Sequence, residues 1–159
     1  VLDRSLNTLD VNGKLAFAPN AALLGGGGND TLDPNIGGFK GGVIDLAGIV
    51  GNVLSDGGSG NDFIDSGFGN DVMLGGSGND TLQWLPGTLL DVFEGGTGND
   101  TAVVVGNGNN QGDAFVLSAG DAPGRALFQR TNLVPFFIDI GSTENVTLQT
   151  QSGDDTITV

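Results

Sequence analysis

The sequence predicts an all-β chain wound as a parallel solenoid, and three observations carry that reading. A nine-residue phrase runs without a gap from Gly57 to Gln83 as GGSGNDFID, SGFGNDVML and GGSGNDTLQ. Each copy sets Gly, Asn and Asp in a turn and places an apolar residue two positions after the Asp. Self-similarity at so short a period marks a stacked repeat architecture. Secondly, 30 of the 159 residues are Gly without a strict G-X-Y period, which excludes collagen. Hydrophobic residues at 38% suffice for a narrow core and argue against full disorder. Thirdly, the acid is nearly all Asp, with Glu only at Glu94 and Glu144. Asp and Asn belong to turns and oxygen-rich cation sites rather than to helix faces. No helix of useful length is visible.

Residues 1–24 lack the phrase and are expected to form an N-terminal β cap. Within them LDVNGKLAF sets Asn12-Gly13 between apolar runs, the short-range signal for a hairpin. The solenoid is expected over residues 25–113. Its first copy, GGGGNDTLD, opens at Gly25 and carries Asp30 and Leu32. Between Pro34 and Asp56 the phrase fails, but Gly turns still alternate with short β-prone runs, as degenerate coils would. The three tandem copies then give Asp62, Asp71 and Asp80 one place, and Ile64, Met73 and Leu82 another. After Gln83 the phrase slips by two residues, Trp84 and Leu85, and resumes degenerate at Pro86 with Asp91 and Phe93 in register. Gly95 opens the well-formed GGTGNDTAV with Asp100, and a worn copy from Gly108 places Asp113 and Phe115. Residues 114–159 hold AFVLSAG, RALFQR, FFIDI and NVTLQT, which suit a compact antiparallel meander or widened coils. A last repeat-like turn with Asp155 and Ile157 follows.

Each phrase is a turn followed by a very short strand. Three residues of strand point one apolar side chain inward and its neighbours outward. Two phrases close a flattened coil of about eighteen residues, so loops one coil apart stack on one edge about 4.8 Å from each other. Like-charged Asp side chains at that spacing repel, and the stack calls for a cation between loops. Ca²⁺ accepts about six to eight oxygens, main-chain carbonyls included. The chain has no Cys and no His, which removes thiolate and imidazole metal sites, disulfides and His-based triads. Five basic residues against nineteen acidic ones, a net charge of −14 and a pI near 4.1 argue against nucleic-acid binding. No signal-peptide pattern, initiating Met or membrane-spanning stretch is visible. A processed protein or a piece of a larger one is expected.

The tandem GGxGxD copies make the chain similar to the RTX (repeats-in-toxin) family of hemolysin-type calcium-binding proteins, mainly over residues 25–33 and 57–103. The resemblance implies a right-handed parallel β-roll, a β-solenoid, here with a short N-terminal hairpin and a C-terminal β-rich extension. It implies several bound Ca²⁺ ions. In the family pattern one loop gives the carbonyls of its second and fourth positions and its Asp, and the loop one coil later gives those of its first and third positions and its own Asp. That joins Gly58, Gly60 and Asp62 with Gly75, Ser77 and Asp80. A second site joins Gly76, Gly78 and Asp80 with Gly95, Thr97 and Asp100. On the opposite edge Gly67, Gly69 and Asp71 face Pro86, Thr88 and Asp91, where PGTLL departs from the Gly pattern. Asp30 is a further candidate ligand, although neither it nor Asp155 has a partner loop one regular coil away. Asp80, shared by two sites, is expected to matter more for calcium-dependent stability than Asp45.

Asp45, Asp56 and Asp65 are expected to be solvated edge residues, Trp84 and the Phe136–Phe137 pair caps on the narrow core, and Arg125 and Arg130 partners of nearby Asp. Asp139 and Glu144 lie close in sequence, but nothing places them in a pocket, and catalysis finds little support. The leading expectation is a non-catalytic calcium-binding module of a secreted or cell-surface bacterial protein, exported unfolded by type I secretion as the family is. One alternative is a structural unit of a calcium-dependent filament, surface layer or adhesin, stacked end to end on other copies or neighbouring domains. The other is the accessory domain of an RTX enzyme.

Overall fold

The computed structural model describes residues 8–9, 15–16, 20–33, 52–86 and 90–159. The strands, in chain order, are β1 (Thr8–Leu9), β2 (Leu15–Ala16), β3 (Asn20–Gly27), β4 (Thr31–Leu32), β5 (Asn52–Ser59), β6 (Phe63–Asp65), β7 (Val72–Ser77) and β8 (Thr81–Trp84). They continue with β9 (Leu90–Thr97), β10 (Thr101–Val105), β11 (Ala114–Ala119), β12 (Arg125–Arg130), β13 (Phe136–Gly141), β14 (Asn145–Gln149) and β15 (Thr156–Thr158). Among the described residues there is no helix, and so none long and apolar enough to cross a membrane.

β1 and β2 pair antiparallel, Leu9 opposite Leu15, as the hairpin reading expects; Asn12-Gly13 itself lies outside the described residues. From β3 to β10 the chain alternates between two sheets. One runs β14-β10-β8-β6-β4 and is parallel throughout. The other runs β15-β11-β12-β13-β9-β7-β5-β3. One strand in each sheet makes one coil. Parallel pairing in this sheet reaches back to Asn20, opposite Asn52. The loops that connect the sheets lie along two opposite edges of the roll.

The core is the space between the sheets. Ile64, Met73, Leu82, Phe93, Ala102 and Val104 are fully excluded from solvent, one or two per strand. All but Val104 are the apolar slots of successive phrases, so a repeat strand needs only one apolar residue facing inward. Each such burial contributes about 1.5–3 kcal/mol for the larger side chains.

Beyond β10 both readings of residues 114–150 hold in part. β11, β12 and β13 form an antiparallel meander. Its last strand pairs parallel with β9, while β14 pairs parallel with β10. The eight-stranded sheet thereby has three strands, β11, β12 and β15, that the five-stranded sheet does not match. Aromatic rings fill the wider core. Trp84 stacks on Phe136 with centroids 3.8 Å apart, and Phe115 and Phe128 pack at 5.5 Å. The core reading of Trp84 and Phe136 holds, whereas Phe137 is exposed. The two-residue slip at Trp84-Leu85 is where β8 lengthens to bring the indole inward.

Candidate metal sites between stacked turns

Along the first edge the turns 25–30, 57–62, 75–80 and 95–100 stack directly on one another. Main-chain N–H groups at the tips have no strand partner, and the Asn-Asp pair supplies acceptors in both directions. Each Asn points forward: Asn61 N donates to Asn29 Oδ1 (2.8 Å), Asn79 N to Asn61 Oδ1 (2.8 Å) and Asn99 N to Asn79 Oδ1 (2.9 Å). Each Asp points back: Asp30 N donates to Asp62 Oδ1 (2.7 Å), Asp62 N to Asp80 Oδ1 (2.8 Å) and Asp80 N to Asp100 Oδ1 (2.8 Å). The Asn ladder was not foreseen from the sequence, although the invariant spacing of Asn before Asp was the signal for it.

Main-chain oxygens converge between the turns. Gly58 O and Gly60 O point onward: they lie 2.2 and 1.7 Å from where a Cβ on Gly76 and Gly78 would sit. Those two glycines have φ of +105° and +134°, and a side chain at either is blocked by both backbone and neighbour. Gly75 O points back, 2.7 Å from the Cβ position of Gly57, and Ser77 O accepts from Gly60 N at 2.9 Å. Asp62 Oδ2 lies 2.4 Å from that same Gly57 position. The expected set of Gly58, Gly60 and Asp62 with Gly75, Ser77 and Asp80 is thus brought to one gap.

The next gap repeats the arrangement with Gly76, Gly78 and Asp80 against Gly95, Thr97 and Asp100. Gly95 O lies 2.5 Å from the Cβ position of Gly75, and Thr97 O accepts from Gly78 N at 2.9 Å. The Asp-to-Asp separation grows from 18 to 20 residues here without disturbing the stack.

The expectation that Asp30 lacks a partner is corrected. Its turn stacks on 57–62 across a coil of 32 residues, with Gly28 N donating to Ser59 O at 2.7 Å. The intervening residues 34–51, which include Asp45, lie outside the described residues. Asp155 also finds a neighbour: its Oδ1 accepts from Asp113 N at 2.8 Å, 42 residues away.

On the opposite edge Asp71 N donates to Asp91 Oδ1 (2.7 Å), so the turn of Gly67, Gly69 and Asp71 meets that of Asp91 as expected. Thr88 lies outside the described residues. Upstream, Val53 N donates to Asp71 Oδ1 (2.7 Å), which shows Val53 standing where an Asp would be. Asp65 is buried rather than solvated: it accepts from Gly67 N and from Gln83 Nε2.

The test of whether these gaps suit a cation lies in the second carboxylate oxygens. Oδ2 of Asp30, Asp62, Asp71, Asp80 and Asp100 is buried without a hydrogen-bond partner. Such a group costs several kcal/mol unless its charge is compensated, on the order of 1–3 or more. Asp113 is the contrast. Arg130, 6% exposed and lying over the Phe136 ring, donates to Asp113 Oδ1 at 3.3 Å, and Asn107 N donates to Oδ2 at 2.9 Å. There the protein provides its own cation. Arg125 bridges Glu94 and Asp139, and these charges hold its guanidinium above its ordinary pKa. Among the described residues no group of three His, Cys, Asp or Glu side chains forms a metal cluster. Each gap offers two carboxylates and main-chain carbonyls, an oxygen-only set that fits Ca²⁺.

Burial pushes the Asp71 carboxyl up to about 7, with the Asp91 and Asp65 charges adding to it against the Val53 N–H. Burial also raises Asp80, helped by Asp100 and Asp62. The metal-free fold therefore binds more protons than the unfolded chain between about pH 4 and about pH 7. Its stability is expected to fall as pH rises through that window. Calcium competes with those protons, so in millimolar calcium stability should rise with pH. Thermal melts of calcium-depleted and calcium-loaded protein check this, and slopes of the same sign would contradict it.

Stacked, oxygen-lined turns joined by short parallel strands define the protein as a β-roll. Residues 23–38, 55–82 and 91–111 match the family model of the RTX calcium-binding nonapeptide repeat, in four copies, so over these stretches the chain carries the repeat of that family. No curated protein and no solved structure matches it.

Proposed function

We propose that the chain is a non-catalytic structural module of a secreted or cell-surface bacterial protein, folding and stiffening on extracellular Ca²⁺. The observation that carries this is the file of buried, unpartnered Asp Oδ2 atoms along the turns. A carboxylate file of that kind is tolerable where calcium is abundant and opposes folding where it is scarce. RTX proteins are generally secreted, which agrees with it. A calcium titration followed by circular dichroism tests the reading. The folding midpoint is expected at about 0.1–1 mM, the range of extracellular modules. A midpoint at or below about 1 μM, in the range of intracellular sensors, would overturn it.

A second reading, a unit stacking in a filament or layer, is favoured by β15. This is an outer strand of its sheet, its three residues are exposed, and Thr-Ile-Thr carries neither Lys nor Pro to guard the edge.

A further inference from the structure

The file of turns along the first edge does not stop at the last repeat. The turn that stacks on 95–100 comes 44 residues after Asp100 and belongs to no repeat copy. β13 and β14 deliver it, with Gly141 opposite Glu94 and Asn145 opposite Thr101. Between those two register pairs the repeat spends residues 95–100, whereas this turn has only Ser142, Thr143 and Glu144. Two contacts of a repeat gap are nevertheless reproduced, while Gly96 N, rather than Gly98 N, donates across the gap, to Ser142 O at 3.0 Å. Asp100 N donates to Glu144 Oε2 at 2.7 Å, where Asp62 N donates to Asp80 Oδ1 at 2.8 Å. Ser142 O lies 2.3 Å from the Cβ position of Gly95, where Gly95 O lies 2.5 Å from that of Gly75. Asp100 Oδ2 lies 2.7 Å from the same Gly95 position, and it is buried and without a partner. Asp100 itself is 0% exposed.

We propose that Asp100 and Glu144, with the main-chain oxygen of Ser142, hold a further calcium ion between the last repeat turn and a turn outside the repeats. This rests on the calcium-binding reading of the roll. The longer Glu side chain spans what the shortened turn gives up, which accounts for Glu where every other stacked turn of this edge has Asp. Two carboxylates match a divalent charge. Ca²⁺ takes about six to eight oxygens, so water completes the shell. Glu144 is exposed, which leaves that side open to solvent. An ion here ties β13 and β14 to the roll, so docking of the meander depends on calcium as the repeats do.

Calorimetric titration of the whole chain with CaCl₂ tests this, comparing wild type with Glu144→Gln. The amide keeps an acceptor for Asp100 N–H and removes the charge, so the fold is retained. The variant should lose one ion per chain, or bind one ion weaker by about tenfold or more, because affinity follows ligand charge. Hydrogen exchange in calcium should quicken over β14 and the 95–100 turn and stay unchanged at 57–62. Isotherms identical to wild type would overturn the site while leaving the module intact. A wild-type chain that takes up no calcium would overturn both.

Discussion

Removing calcium is expected to cost the protein most or all of its stability. A site with Kd near ~0.1 mM in ~1 mM calcium contributes ~1.4 kcal/mol. Three or four such sites supply ~4–6 kcal/mol, against a total of about 5–15 kcal/mol for a small domain. The opposing term is visible along the first edge, where Asp30, Asp62, Asp80 and Asp100 stack with Oδ2 buried and unpartnered. Without metal these like charges repel one another along the edge. In excess chelator at neutral pH the β signal should collapse or melt at a much lower temperature. Mg²⁺ should restore little, since it dehydrates reluctantly and demands near-octahedral geometry. Equal melting temperatures with calcium and with chelator would contradict the expectation.

The second large effect is expected for Asp80→Ala. Asp80 belongs to two gaps: its Oδ1 accepts from Asp62 N, and its Oδ2 is orphaned beside Gly75 toward Gly95 O. Removing it weakens two sites of ~1.4 kcal/mol each and strands a buried N–H at about 1–3 kcal/mol. The loss in calcium should be up to about 4–6 kcal/mol. Without calcium the loss should shrink, because the variant also relieves repulsion with Asp62 and Asp100. Asp121→Ala, in the exposed turn between β11 and β12, should stay within about 0.5 kcal/mol. Chemical denaturation with and without calcium measures both. An Asp80→Ala penalty that does not depend on calcium would contradict the ligand role.

The repeat made the roll legible because its period is the coil. Gly, Asn, Asp and one apolar slot recur wherever a turn and a short strand recur, so the repeat alone puts Ile64, Met73 and Leu82 in the core. What the sequence hid lies where the period breaks. Asp30 meets Asp62 across 32 residues, and a reading that counts one regular coil finds nothing there. Glu144 stands in for an Asp inside a turn too short to keep the Gly pattern, and it meets Asp100 across 44 residues. Val53 keeps its place in the file of turns with no acid to mark it. The meander was ambiguous for a related reason: AFVLSAG, RALFQR and FFIDI are plain apolar strands, and it is the pairing of β13 with β9 and of β14 with β10 that returns the chain to the roll. Arg130 illustrates the limit from the other side, since its burial beside Asp113 depends on a ring, Phe136, brought from the next strand.

The central claim is that calcium sits between successive turns. Anomalous scattering from crystals grown in calcium tests it most directly. The account predicts peaks between turns 25–30 and 57–62, between 57–62 and 75–80, and between 75–80 and 95–100, each within reach of the orphaned Asp oxygens. A well-ordered roll with no peak in those gaps, or with calcium only on its outer surfaces, would contradict it.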